Sequence, residues 1–115
     1  MSIMNKLLQA VIGTCNTIVD APIAFTAKLG QEGLVHTAVS TVDSKPVYVR
    51  VEESTQNVSL HGYGWRICIA SNPSFVNCEC WDYYNDKATF ISEMDAVSIA
   101  EMCMDLNAMF VDVFA

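Results

Sequence analysis

The amino-acid sequence predicts an α+β fold, an antiparallel meander sheet of about five to six strands with an N-terminal and a C-terminal helix packed on it. Three observations carry that expectation. Apolar residues recur with a helical period at both ends of the chain, they recur with a period of two in between, and clusters of Gly, Pro, Asn, Asp and Ser separate the middle segments at hairpin distances. With 115 residues the chain is long enough for one core and too short for two, so residues 1–115 are expected to form a single domain. A hydrophobic content of 52% with 17% charged residues excludes intrinsic disorder, which requires the reverse balance.

At the N-terminus, Met4, Leu7, Val11, Cys15 and Ile18 fall on one stripe of a helix, and Asp20-Ala21-Pro22 is expected to stop it. The period then changes. Ile23, Phe25, Ala27 and Leu29 alternate with smaller or polar residues, and Gly30 and Gly33 bracket a turn into a second strand over 34–42. Asp43-Ser44-Lys45-Pro46 turns the chain again. Val47, Val49 and Val51 then face one way and Tyr48, Arg50 and Glu52 the other, which makes this the clearest strand.

After a polar loop over 54–57, Val58–His61 reads as a short strand or an extension, and Gly62 and Gly64 allow a bend before a strand over 65–70. A tight turn at Asn72-Pro73-Ser74 leads to a strand over 75–84, in a register that sets Trp65 opposite Trp81 and Cys68 opposite Cys78. Trp81 is accordingly expected in the core, with Tyr83 or Tyr84 exposed. Ala88–Ile91 is expected as a last short strand, and Ser92-Glu93-Met94-Asp95 resembles a capping box that starts the C-terminal helix. At 100° per residue, Ile99, Cys103, Leu106 and Phe110 share one helix face, while Glu101, Asp105 and Asp112 fall within about 40° of one another on the opposite side.

Charge is the main functional signal. The net charge of −7 is uneven: residues 1–60 hold four basic and five acidic side chains, and residues 61–115 hold two basic and eight acidic, giving −1 and −6. The stretch 88–115 holds five carboxylates (Glu93, Asp95, Glu101, Asp105, Asp112) and no Lys, Arg or His. Such a surface repels nucleic acid and anionic lipid, and it suits a basic protein partner. Solvated helix faces normally intersperse both signs, so the missing cations point to an acidic binding face rather than mere solubility. Near it in sequence, Trp81-Asp82-Tyr83-Tyr84-Asn85-Asp86 combines aromatics and acids as interface anchors do. The expected partner-binding residues are therefore Glu101, Asp105, Asp112, Asp82, Tyr83, Tyr84 and Asp86.

Catalytic and cofactor motifs are missing. His61-Gly62-Tyr63-Gly64-Trp65 lacks the Lys and helix start of a phosphate cradle, and no Gly-x-Ser-x-Gly or His-Glu-x-x-His occurs. A Cys-His nucleophilic site would need a thiolate stabilised by positive charge, and the only histidines are His36 and His61 in a strongly acidic chain. Glu52 and Glu53 point to opposite faces of a strand. Cys78-Glu79-Cys80 lacks the Cys-x-x-Cys knuckle of structural zinc, so no metal is expected even with His61 nearby. The five cysteines (Cys15, Cys68, Cys78, Cys80, Cys103) read most simply as reduced, mostly buried thiols. The apolar run 7–15 lacks a cleavage site, no apolar run spans a membrane, and the sequon Asn57-Val58-Ser59 means little without export; a cytoplasmic setting is expected.

These observations lead to a small acidic protein-binding inhibitor or nucleic-acid mimic, of the virus-encoded counter-defence type, that blocks a basic surface of a nucleic-acid-processing or defence protein. It is expected to be no enzyme, to need no cofactor, and to bind neither nucleic acid nor membrane directly. The alternative is a dimeric secretion or assembly chaperone, or a structural interaction protein, whose N-terminal helix would form a homodimer face.

Overall fold

A computed structural model describes residues 3–30, 33–54, 63–85 and 96–114, with side chains placed over 7–30, 33–52, 65–81 and 100–114. The elements follow in the order α1 (Ile3–Cys15), β1 (Thr26–Leu29), β2 (Leu34–Val42), β3 (Lys45–Ser54), β4 (Tyr63–Ala70), β5 (Glu79–Asn85) and α2 (Ala96–Phe114). The five strands form one antiparallel sheet in the order β1-β2-β3-β4-β5, the expected meander, with a helix before it and a helix after it. The proposed strands at Val58–His61 and Ala88–Ile91, the capping box at Ser92–Asp95 and the ring of His61 lie outside the described residues.

Strand alternation gives the sheet two unlike faces. One face carries Val47, Val49 and Val51 from β3 and Trp65, Ile67 and Ile69 from β4, all at most 1% exposed. Leu7, Val11 and Cys15 of α1 and Met102, Leu106, Met109 and Phe110 of α2 close over it. The sequence stripe of α1 is thus buried within this single chain. Helix α1 ends at Cys15, earlier than the Asp20-Ala21-Pro22 stop: the chain tightens into turns, with the Thr17 N–H donating to the Thr14 carbonyl at 3.2 Å and the Ile18 N–H to the Cys15 carbonyl at 2.9 Å, and Asn16 Oδ1 accepts the backbone N–H of Ile23 at 2.8 Å. The two helices meet where Thr14 Oγ1 donates to the Ala10 carbonyl at 3.0 Å and lies 2.8 Å from Cys103 Sγ. With its proton on Ala10, the hydroxyl is left to accept from the Cys103 thiol.

The β2–β3 connection is a two-residue hairpin turn in which both central residues, Asp43 and Ser44, have positive φ (50° and 67°). Non-glycine residues pay for that conformation, and here Asp20 supports it. Its carboxylate accepts the backbone N–H of Asp43 at 3.2 Å, the N–H of Ser44 at 2.9 Å and the Thr41 hydroxyl at 2.7 Å.

The β4–β5 connection corrects the sequence reading. Rather than a tight turn into a strand from Phe75, residues 71–78 form a wide loop and β5 starts at Glu79. Asn72 organises it: Oδ1 accepts the N–H of Ser74 at 3.1 Å and of Val76 at 3.0 Å, and Nδ2 donates to the Val76 carbonyl at 2.8 Å. Phe75 and Asn77 take positive φ (54° and 57°), which no strand residue does. The register therefore slips by two. Cys68 pairs with Cys80 rather than Cys78, Trp65 with Tyr83, and Ile67 with Trp81. Trp81 sits on an edge strand and is 38% exposed, so it is not the core residue that the sequence suggested.

Candidate functional site

Helix α2 presents the acidic face. Packing of Met102, Leu106, Met109 and Phe110 on the sheet fixes its rotation, which leaves Glu101 and Asp112 exposed and Asp105 half-buried. Glu101 and Asp112 stand about 16 Å apart along the axis at 1.5 Å per residue. Apolar side chains lie beside them. Met104 and Val111 are 71% and 67% exposed, and they share the outward side with Ala100 and Ala108. The same 100° arithmetic places Met104 about 80° and Val111 about 100° from the middle of the acids, so the signal was present in the sequence. The outward surface of α2 is an apolar stripe bordered by carboxylates, not an acidic ridge alone.

The other expected residues fall elsewhere. Asp82, Tyr83 and Tyr84 lie in β5, paired in register with Arg66, Trp65 and Gly64, and their side chains are outside the described set. Asp86 lies wholly outside the described residues. Of the seven expected partner-binding residues, Glu101, Asp105 and Asp112 are the ones whose side chains can be placed together on one helix.

The sheet face turned away from the helices holds the second cluster. Arg50 of β3 lies between its neighbours: its guanidinium carbon stands 4.5 Å above the Phe75 ring, Nη2 is 3.7 Å from Cys68 Sγ, and Nε is 3.9 Å from Glu52 Oε2. Phe75 in turn meets Tyr48 edge to face with ring centroids 6.5 Å apart. Beside this stack runs an open groove of about 450 Å³ lined by Lys28, Val35, Thr37, Val39 and Glu52. With Arg50 also on its wall, it mixes one carboxylate with two cations and has no single sign.

Sulfur chemistry on this face differs from the expected reduced thiols. Cys68 and Cys80 form a disulfide across β4 and β5, where they are directly opposed in the antiparallel pair. Cys78 stays free, with Sγ 3.3 Å from Cys80 Sγ. The three sulfurs lie within 4.8 Å of one another. Soft metals bind thiolates, and the disulfide removes two of the three, so only the reduced chain could offer this set to a metal. On the helix side Cys15 is inert: burial first, and then the neighbouring Cys103, pushes its thiol up to about 12.

Among the described residues no helix is long and apolar enough to cross a membrane. Comparison of the chain with protein-family models, curated proteins and solved structures finds no match, so fold and site rest on the residues themselves.

Proposed function

We propose that this is a binding protein rather than an enzyme, and that the outward face of α2 docks onto a basic surface of a protein partner. The observation that carries this reading is the pairing of exposed Met104 and Val111 with Glu101, Asp105 and Asp112 on one helix that has no Lys or Arg along its length. Carboxylates attract arginines over distance and orient them, and the apolar stripe supplies area that stays buried once contact is made. A nucleic-acid-processing or defence protein has such a basic surface, and occupying it would inhibit by exclusion. The virus-encoded counter-defence role belongs to this proposal. So does the cytoplasmic setting, on which the Cys68–Cys80 disulfide bears: a permanent bond fits an oxidising compartment, and an exchangeable one is compatible with a reducing one.

The chaperone reading relied on α1 as an apolar face for a second copy. Leu7, Val11 and Cys15 are buried in this chain's own core, which removes that support.

The test is capture of partners from lysate by the native chain and by a Glu101→Lys, Asp112→Lys variant, at low and high ionic strength, with identification by mass spectrometry. A basic protein held by the native chain at low salt and lost with the reversal is the expected result. Equal capture by a folded reversal variant would exclude the α2 face.

A further inference from the structure

The face of the sheet opposite the helices assembles a disulfide, a third sulfur and a cation, and the proposed binding face explains none of them. We propose that Cys68, Cys78 and Cys80 form a thiol–disulfide exchange site, with Cys78 as nucleophile, Cys80 as the sulfur attacked and Cys68 as the leaving group beside Arg50.

Exchange needs a thiolate in contact with a disulfide sulfur, a leaving group whose charge is stabilised, and access. Cys78 Sγ is in contact with Cys80 Sγ at 3.3 Å. Arg50 Nη2 is 3.7 Å from Cys68 Sγ, and stacking on Phe75 at 4.5 Å holds the guanidinium there. A thiolate formed on Cys68 would be born beside a cation in a fully buried position, where such a pairing is worth most. Arg50 is thus a positioning and charge-stabilising residue for the leaving sulfur.

The step balances within the chain. Cys78 gives its thiol proton to solvent, and its sulfur lone pair forms the Cys78–Cys80 bond. The electron pair of the Cys68–Cys80 bond leaves on Cys68, which is then reprotonated. One disulfide and one thiol remain, and no oxidant or reductant is consumed. Displacement runs in line with the bond being broken. The three sulfurs all lie within 4.8 Å of one another, and Cys78, the one outside the cross-strand link, is the one that moves into line. Its place at the end of the 71–78 loop, one residue before β5, gives it that freedom.

Exchange moves the bond from a cross-strand position to two neighbouring residues, half-buried Cys78 and exposed Cys80. It unlinks β4 from β5 and leaves the disulfide where an external thiol, of a small molecule or of a partner's cysteine, can reach it.

The experiment reads connectivity. Air-oxidised protein is incubated across a range of pH, quenched in acid, labelled with maleimide under denaturing conditions, then reduced and labelled again with a second reagent. Tandem mass spectrometry of the tryptic Ile67–Lys87 peptide, which contains all three cysteines, locates the first label. Expected is a mixture of Cys78-labelled and Cys68-labelled chains that equilibrates faster as pH rises. Cys78→Ser should leave no first label in this peptide. Arg50→Gln should lower the Cys68-labelled share several-fold, and Arg50→Lys should restore most of it with unchanged far-UV circular dichroism. First label on Cys78 alone at every pH and time would overturn the proposal, as would label on all three cysteines, because the disulfide would then not form.

Discussion

The Asp20 carboxylate accepts the backbone N–H of Ser44 at 2.9 Å across 24 residues of sequence, tying the segment after α1 to the tip of the β2–β3 hairpin. Two more donors converge on the same carboxylate, from Asp43 and Thr41. The Ser44 bond first, then that from Thr41, holds the Asp20 carboxyl below its ordinary value of 3.8. A carboxylate with a depressed folded pKa contributes stability in full above its unfolded pKa, and that contribution is lost as pH falls through the lower folded value. Asp20→Asn, which keeps one acceptor oxygen and loses the charge, should therefore lower Tm at neutral pH. The gap between the two proteins should close on acidification below about pH 4. Thermal melts at both pH values check it, and a gap that persists in acid would contradict the assignment.

His36 is on the helix-covered face of β2, 7% exposed, and its Nε2 has no hydrogen-bond partner among the described residues. Burial lowers its pKa from 6.5. A base with a lowered folded pKa stays neutral in the fold while the unfolded chain takes up a proton, so stability is full above about pH 6.5 and falls as pH drops through the folded value. The urea midpoint should decline between neutral and mildly acid pH, and His36→Leu should flatten that slope with His61 still present. A slope unchanged in the variant would assign it to other groups.

Leu106 and Met104 are two residues apart on α2 and should behave in opposite ways. Leu106 is fully buried and Met104 is 71% exposed. Leu106→Ala should cost about 2–5 kcal/mol by cavity formation, whereas Met104→Ala should stay within about 0.5 kcal/mol. Urea denaturation of both, with equal m-values, makes the comparison. Equal losses would mean that α2 is rotated on the sheet.

Val11 is 0% exposed in the α1 seam. Val11→Asp should unfold the chain, because an unpaired buried charge costs several kcal/mol out of a total stability of about 5–15. A folded variant of reduced size on gel filtration would instead show α1 to be a surface between copies.

The Arg50–Phe75 contact at 4.5 Å anchors the 71–78 loop. Phe75→Leu keeps apolar bulk and removes the π face, with an expected loss of about 0.5–1 kcal/mol. A double-mutant cycle with Arg50→Met isolates the pair, and a coupling near zero would dismiss it.

Where local periodicity decides structure, the sequence was legible. The alternation of Val47, Val49 and Val51 and the stripe Leu7, Val11, Cys15 led directly to β3 and to the buried side of α1. Where a loop's length decides structure, it was not. Phe75 and Val76 look like the start of a strand, and only the Asn72 hydrogen bonds, which widen the loop, shift the pairing by two and bring Cys80 rather than Cys78 against Cys68. No helical or strand period encodes that shift. The acids of α2 are legible by angle; exposed Met104 and Val111 are less so, because in a 52% hydrophobic chain apolar residue type alone does not mark which side of a helix is covered.

Strand order equal to chain order has a consequence during synthesis. Each hairpin can zip as soon as its second strand leaves the ribosome, since neighbours in the sheet are neighbours in the chain. The seam between the helices is different: Thr14 waits 89 residues for Cys103. Until α2 emerges, Val47, Val49, Val51, Trp65, Ile67 and Ile69 form a sheet face with half its cover missing. The nascent chain passes through a sticky intermediate whose lifetime is set by translation, and holdase chaperones have their opportunity in that interval.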